Sequence, residues 1–370
     1  MIIYLWLALL ASFAGSYVAF FSYLRFHSKK PWGLKIDPGF APSISVLVPA
    51  HNEEKVILPK LENLKEVAYP KDKIEVIVID DSSSDQTLSL AQSFVERNPT
   101  FNVKVLHQET RQGKAKGLNR ALNGCSHNLV VVTDADTYWP SDILGKALPY
   151  MSDPSIGAIS GVMEAKNAAQ SWVTNAEGNY MNLMSTWRLG ESKIHSTIRF
   201  EGCFCVFRRQ AFDEFDDKSG ADDSGTALRI IQNKYRAILI PEARTKSEVA
   251  FTFRDRLRGK VRRAVHLAGL WVQCLSLLAR RCLVMPKRIA VPEIILSLFM
   301  PFIFVALVCL TFVVSIYYPI FFLALVISLG VAALIPIVRS NLIQAVFDQF
   351  ILFYAVILNA KKKRFITWEK

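Results

Sequence analysis

Residues 128–136 read Asn128-Leu-Val-Val-Val-Thr133-Asp134-Ala135-Asp136. The apolar run predicts a strand buried on both faces, as in a parallel sheet. Two carboxylates one residue apart, at the carboxyl end of such a strand, face the crevice in which open α/β sheets bind ligands. Hard oxygen donors of this kind suit Mg²⁺ or Mn²⁺, ions that also hold a substrate's phosphates. An Asp pair after a strand also serves as a loop or helix cap, so its meaning depends on what surrounds it.

Upstream, residues 43–49 (Ser-Ile-Ser-Val-Leu-Val-Pro) predict a first strand, and His51-Asn52-Glu53-Glu54 opens a helical pattern to residue 64. Residues 73–79 predict a second strand ending at Asp80-Asp81, with Ser82-Ser-Ser-Asp85 supplying cap chemistry for a helix to residue 97. A third strand over 103–107 and a helix over 113–123 complete the run to 128–133. Strands alternating with helices of this length imply βαβ units and a parallel sheet. Parallel strands share direction, so the polar turns after strands one, two and four converge on one edge. That edge holds Pro49, Ala50, Asn52, Glu53, Asp81, Asp134 and Asp136.

The chain has neither GxGxxG nor GxxxxGK[ST], which removes the dinucleotide fingerprint and the P-loop. An aspartate at 80–81 can instead accept hydrogen bonds from a nucleobase or ribose; helix capping is the rival use. Arg111-Gln-Gly-Lys114-Ala-Lys116-Gly-Leu-Asn119 places cations at a helix start, where the dipole disfavours them. An anion bound nearby explains them as well as a solvated face does. Asp222-Asp223, leading the helical pattern through Arg229, offers a general base or a cap. Residues 254–263 are intensely basic, suited to lipid headgroups or a diphosphate. The stretch 266–283 carries Leu267, Leu270, Trp271, Cys274 and Leu278 on one face, which predicts a helix in the membrane interface. Cys203-x-Cys205 lacks a partner pair for zinc, and the six cysteines follow no disulfide framework.

Composition is segregated. The chain is 51% hydrophobic and 21% charged, with a net charge of +12. Residues 2–24 carry no charge and are long enough to span a bilayer, with no basic segment before them as a signal peptide would have. Residues 294–316 and 319–338 predict two further spans; 342–358, with Asp348 and two glutamines, predicts an interfacial or bundle helix. Arg25, Lys29 and Lys30 after the first span, and Lys361-Lys-Lys-Arg364 near the end, place the soluble region on the cytoplasmic side, the plasma membrane being the expected site. The spans weigh against reading the charge as nucleic-acid binding. The expected organisation is an anchor at 1–24, a catalytic domain at 40–250, basic interfacial helices at 251–292, a membrane region at 293–360 and a basic tail at 361–370.

These pieces, in this order, resemble the family 2 glycosyltransferases of GT-A fold, particularly membrane-anchored inverting members related to polyisoprenyl-phosphate glycosyltransferases and to cellulose and hyaluronan synthases. The resemblance runs from about residue 43 to 264. It rests on Val48-Pro-Ala-His-Asn-Glu-Glu54, Val78-Ile-Asp-Asp-Ser-Ser-Ser-Asp85, Gly113-Lys-Ala-Lys-Gly-Leu-Asn119, Asp134-Ala-Asp136 and Asp222-Asp223, the last standing where the family has Glu-Asp. It implies a UDP- or GDP-sugar donor held by Pro49, Ala50, Asn52, Glu53, Asp81, Lys116 and Asp222. It also implies Mg²⁺ or Mn²⁺ on Asp134 and Asp136, and Asp223 as catalytic base. Lys260 and Arg263 would assist at the diphosphate. Processive members carry Q-x-x-R-W after the base; Lys260-Val-Arg-Arg263-Ala264 keeps only the arginine, which argues against polymer synthesis. The expected acceptor is a lipid or lipid-linked glycan, a polyisoprenyl phosphate among them. A processive polysaccharide synthase and an inactive membrane scaffold are the alternatives.

Overall fold

Seven strands form one mixed sheet in the computed structural model, which describes residues 1–361. In chain order the elements are α1 (Ile2–Ser28), β1 (Ile44–Ala50), α2 (Ile57–Glu66), β2 (Ile74–Asp80), α3 (Thr87–Arg97), β3 (Val103–His107), α4 (Lys114–Leu122), β4 (Leu129–Val132), α5 (Ile143–Ala147), β5 (Ile156–Ala165) and α6 (Trp172–Ile194). There follow β6 (Cys205–Arg208), α7 (Asp222–Gln232), β7 (Arg236–Ser247), α8 (Phe253–Ala279), α9 (Lys287–Ile294), a π-turn segment (Ile295–Phe299), α10 (Met300–Tyr317), α11 (Pro319–Ala333) and α12 (Pro336–Ala360).

The strand order is β3-β2-β1-β4-β6-β5-β7. The first four strands pair in parallel, as their alternation with helices requires. β6 runs antiparallel between β4 and β5, and β7 pairs parallel with β5. Alternation along β1, β2 and β4 builds two cores. Leu47, Ile77, Ile79, Val130 and Val132 pack on one face with α4 and α7; Val46, Val48, Val76, Val78 and Val131 pack on the other with α2 and α3. Each fully buried Val, Leu or Ile stabilises the fold by about 1.5–3 kcal/mol, so the sheet is a rigid platform for the turns at its edge.

Helix α8 corrects the interfacial reading of 266–283. It is one 27-residue helix, and its apolar face is protein-packed: Leu270, Trp271 and Cys274 are buried, with Leu267 and Leu278 against the same core as Ile289, Ala290, Ala355 and Leu358. Asn359 Nδ2 donates to the Val265 carbonyl at 2.6 Å, fastening α12 along α8.

Among the described residues, three helices are long and apolar enough to cross a membrane: Ile2–Ser28, Lys287–Tyr317 and Ile343–Ala360. The run expected to span over 319–338 is cut, because Ile335 is extended and Pro336 starts a new helix, where its fixed φ and missing N–H are tolerated. The resulting α11 has 15 residues, about 22 Å at the α-helical rise. The segment 342–358, expected to be an interfacial or bundle helix, lies in the longer α12. Beyond Lys361 the expected basic tail lies outside the described residues.

Helix α1 is joined to the catalytic half by a tight seam. A Cβ on Gly190 of α6 would collide with the Leu24 carbonyl of α1. Phe20 packs edge-on against Trp187, with ring centroids 5.3 Å apart, and Leu296 and Met300 close the cluster.

Candidate active site

The carboxyl ends of β1, β2 and β4 form the site's floor. The turn after β1 is stitched to the turn after β2: Asp81 N–H donates to the Ala50 carbonyl at 2.9 Å, Asn52 Oδ1 accepts from Ser84 N–H at 2.8 Å, and Glu53 N–H donates to Thr87 Oγ1 at 2.7 Å. Asn52 and Ser82 sit at φ 56° and 58°, so both turns reverse through left-handed backbone. This stitching explains why α2 and α3 begin at Ile57 and Thr87 rather than at the polar residues before them. Those side chains hold the two turns together.

Asp81 is buried and lies directly beneath the loop before α4. Its Oδ1 accepts from Gln108 Nε2 at 2.6 Å and Gln112 N–H at 2.8 Å; its Oδ2 accepts from Gly113 N–H at 2.9 Å. A carboxylate oxygen offers two lone pairs, so Oδ2 retains one acceptor direction. Asp80 points the other way, with His107 Nδ1 2.8 Å from its Oδ2.

Asp134 and Asp136 follow β4. Asp134 is half-buried and its Oδ1 is 2.7 Å from Lys114 Nζ, while Asp136 is exposed. Lys114 Nζ also stands 3.5 Å from Asp222 Oδ2, so one ammonium bridges the β4 turn and the start of α7. Gly202, just before β6, leaves this spot open: a Cβ there would come within 2.7 Å of Lys114 Nζ and 3.1 Å of both Asp134 carboxylate oxygens. Asp223 is half-buried beside Asp222, and its Oδ1 accepts from Ser224 N–H at 2.6 Å. The cap residue of α7 is Ala221, with no side-chain capping bond. Neither acid is therefore the N-cap, although Asp223 also accepts a first-turn N–H, and Asp222 lies toward Lys114 at the edge.

Electrostatics follow from this crowding. Burial and the neighbouring Asp222 push the Asp223 carboxyl up to about 7, against the pull of Lys114. Burial pulls the Lys114 ammonium down, but Asp134, Asp222 and Asp223 more than reverse this and keep it charged. Beneath the Asp134–Asp136 turn, the buried Lys60 of α2 donates to Thr133 Oγ1 at 2.8 Å and the Thr137 carbonyl at 2.7 Å. Burial lowers it to about 7, although Asp134 and Asp136 favour its charged form.

The structure gathers Pro49, Ala50, Asn52, Glu53, Asp81, Asp134, Asp136, Asp222 and Asp223 on the converging turns. Three residues chosen from sequence fall elsewhere. Lys116 is exposed on α4, and Lys114, two positions earlier, occupies the acidic centre. Lys260 Nζ is 2.6 Å from Asp348 Oδ1, and Arg263 reaches Glu177 at 2.7 Å, both toward α6 and α12. Arg262 is the α8 cation that faces the site. Burial and then Arg263 depress its guanidinium, and Asp134, Asp222 and Asp223 favour its charge. Residues on a helix turn by about 100° per position, so the basic runs 111–116 and 260–263 carried the signal but not the phase.

Among the described residues, no group of three or more His, Cys, Asp or Glu could hold a metal ion by itself. Two adjacent carboxylates beside an opening left by a glycine instead fit an ion that completes its shell with substrate oxygens, the usual habit of Mg²⁺.

A mainly parallel sheet, stitched turns after β1 and β2, an Asp-x-Asp turn after β4 and an acidic helix start define a GT-A fold. The chain carries a glycosyl transferase family 2 domain, matched over residues 45–216. Its structure is similar to that of the mannosyltransferase PcManGT from Pyrobaculum calidifontis, solved in complex with GDP-Man and Mn²⁺. The TM-score is 0.84 and the identity 29%, over 98% of this chain and 100% of that one. In sequence it is 29% identical over 228 residues to the probable glycosyltransferase YdaM of Bacillus subtilis, covering 60% of this chain and 54% of the relative. It is 27% identical over 198 residues to a beta-monoglucosyldiacylglycerol synthase of Synechocystis, covering 53% and 41%. The chain thus spans about half the length of the curated relatives it matches.

Proposed function

We propose that this protein transfers a sugar, with inversion, from a nucleotide-diphosphate sugar to an acceptor carried by a membrane lipid. The observation that carries the reading is Asp223, a half-buried carboxylate poised near neutrality, set beside the Lys114-bridged acids at the sheet edge. Asp81, through its remaining Oδ2 acceptor direction, would take an N–H of the nucleobase. Asp134 and Asp136 would hold Mg²⁺ or Mn²⁺, whose contribution when bound is to neutralise charge on the diphosphate. The similarity to a mannosyltransferase solved with GDP-Man and Mn²⁺ supports both assignments.

Asp223 would receive the proton of the acceptor hydroxyl as its oxygen attacks the anomeric carbon. The bond from that carbon to the diphosphate breaks, and the nucleoside diphosphate leaves with the electron pair. Arg262, facing the acids, would meet the charge that develops there. One base, with no second carboxylate placed as nucleophile, gives inversion. Charges flanking α1, namely Arg25, Lys29 and Lys30, support a site on the cytoplasmic face of the plasma membrane. The similarity to a beta-monoglucosyldiacylglycerol synthase supports a lipid acceptor.

The test is turnover by the purified full chain in lipid vesicles with GDP- and UDP-sugars and Mn²⁺. Release of nucleoside diphosphate and one sugar added per acceptor are expected. A product ladder would favour the processive alternative, and no turnover of any donor would overturn the enzyme reading.

A further inference from the structure

A cavity of about 560 Å³ opens between α6, α8 and α12, on a different face of α8 from Arg262. Its size is that of pockets that enclose drug-sized ligands. Trp172, Ala176, Leu257, Phe347 and Ile351 give it apolar walls. Its mouth is a chain of rings: Trp172 stacks on Phe253 at 6.1 Å, and Phe253 meets Phe347 edge-on at 5.6 Å. Trp172 is 67% exposed and Phe347 45% exposed. Large rings held open to the surroundings are costly in water but suit a membrane interface. The α12 wall, residues 343–360, is itself long and apolar enough to cross a bilayer.

The polar side of the cavity argues for an uncharged occupant. Arg256 is held by Glu177 at 2.8 Å and Gln344 at 3.0 Å, and Lys260 by Asp348 at 2.6 Å. Arg256 and Lys260 are each already bonded to a carboxylate, Glu177 being shared with Arg263, so a phosphate gains less there than beside open cations, and a hydrocarbon chain against the apolar walls breaks no ion pair. Arg256 and Arg262 are six residues apart on α8, about 9 Å along its axis. The two positions also lie about 120° apart around the helix, so a lipid with its chain in the cavity would bring its head to the acids around Asp223 by passing around α8.

We infer that this cavity is the site for the hydrocarbon chain of the lipid acceptor, entered sideways from the bilayer past Trp172, Phe253 and Phe347. The inference rests on the transferase reading for the chain's identity as acceptor, but the cavity can be tested without catalysis.

The experiment uses the full protein in phosphatidylcholine vesicles with three diazirine-tagged probes in separate arms: geranylgeranyl phosphate, diacylglycerol and phosphatidylcholine itself. After irradiation, labelled peptides are mapped by mass spectrometry. Labelling of segments around Trp172, Leu257 and Phe347 by one of the first two probes is expected, competed by its untagged form. Leu257→Trp, which fills the cavity at a half-exposed position, should cut that labelling about tenfold and raise KM for the lipid acceptor similarly. Donor hydrolysis by water should be unchanged. Trp172→Ser, at an exposed position that folding tolerates, should lower labelling in the same direction. Labelling confined to α10 and α11, equal labelling by phosphatidylcholine, or insensitivity to both substitutions would overturn the inference. Donor hydrolysis without cavity labelling sinks the cavity alone; cavity labelling without turnover of any donor sinks the transferase reading alone.

Discussion

Two charged clusters are built from the same residue types on different faces of α8, and they behave in opposite ways. At the sheet edge three aspartates, Asp134, Asp222 and Asp223, face Lys114 and Arg262. Toward α6 and α12, Glu177 and Asp348 face Arg256, Arg263 and Lys260. Burial raises a carboxyl in both places. At the edge the surplus of carboxylates adds to it, and Asp223 rises to about 7. Beside α12, Arg263, Lys260 and Arg256 overcome burial and hold Glu177 below its usual range. Surplus carboxylates at the edge leave a site suited to cationic partners; surplus cations beside α12 keep Glu177 charged and fasten α8 to α6 and α12.

The comparison breaks most directly at Asp223. Asp223→Asn should lower kcat for transfer to a hydroxyl acceptor by about a thousandfold, within the range for a lost general base, with nucleotide binding by calorimetry retained. Lost nucleotide binding would move Asp223 from base to donor holder. Next in size, Arg262→Ala should cost about a hundredfold in kcat, as removal of one charge-stabilising donor does. Arg263→Ala should leave kcat near wild type, and equal losses would erase the distinction between the two faces of α8. On the α12 side, Arg256→Ala removes one of the two guanidinium partners of Glu177, leaving Arg263, and should destabilise the fold by about 1–3 kcal/mol, read by thermal or denaturant unfolding. Donor hydrolysis per folded molecule should persist.

The smallest effect is the pH profile. A base must be unprotonated, so kcat/KM for the free enzyme should fall as pH drops below about 7. Asp222→Asn removes a neighbouring negative charge that helps raise Asp223, so the inflection should move to lower pH. An unmoved inflection would mean that another group limits the rate.

Much of this edge was legible from sequence because its signal is a clean apolar run, buried on both faces, that ends in a polar turn. Three parallel strands with acids at their carboxyl ends permit little else. The second half of the sheet was not legible. β6 is antiparallel to both of its neighbours while β7 is parallel to β5, and β7 alternates buried and exposed residues past Pro241, a pattern without the clean apolar run of β4. Helical phase was the other loss. Whether Lys114 or Lys116, and Arg262 or Arg263, faces the acids is decided by how Leu118, Ala121 and Leu122 seat α4, and Val265, Ala268 and Trp271 seat α8. Those contacts are long-range. The two breaks around Ile335 and Pro336 likewise turned one apolar run into a short helix and the start of a long one.

The seam at Gly190 and Leu24 makes the first helix a strut rather than a leash. With backbone against backbone and Trp187 wedged beside Phe20, the sheet edge is held at a set distance from α1. On the proposed function, an enzyme mounted this way would gauge its substrate: an acceptor group would reach Asp223 only if the distance from its lipid root to its reacting oxygen matched that setting. Acceptor length would thereby become a term in specificity, set by one missing methyl group far from the chemistry.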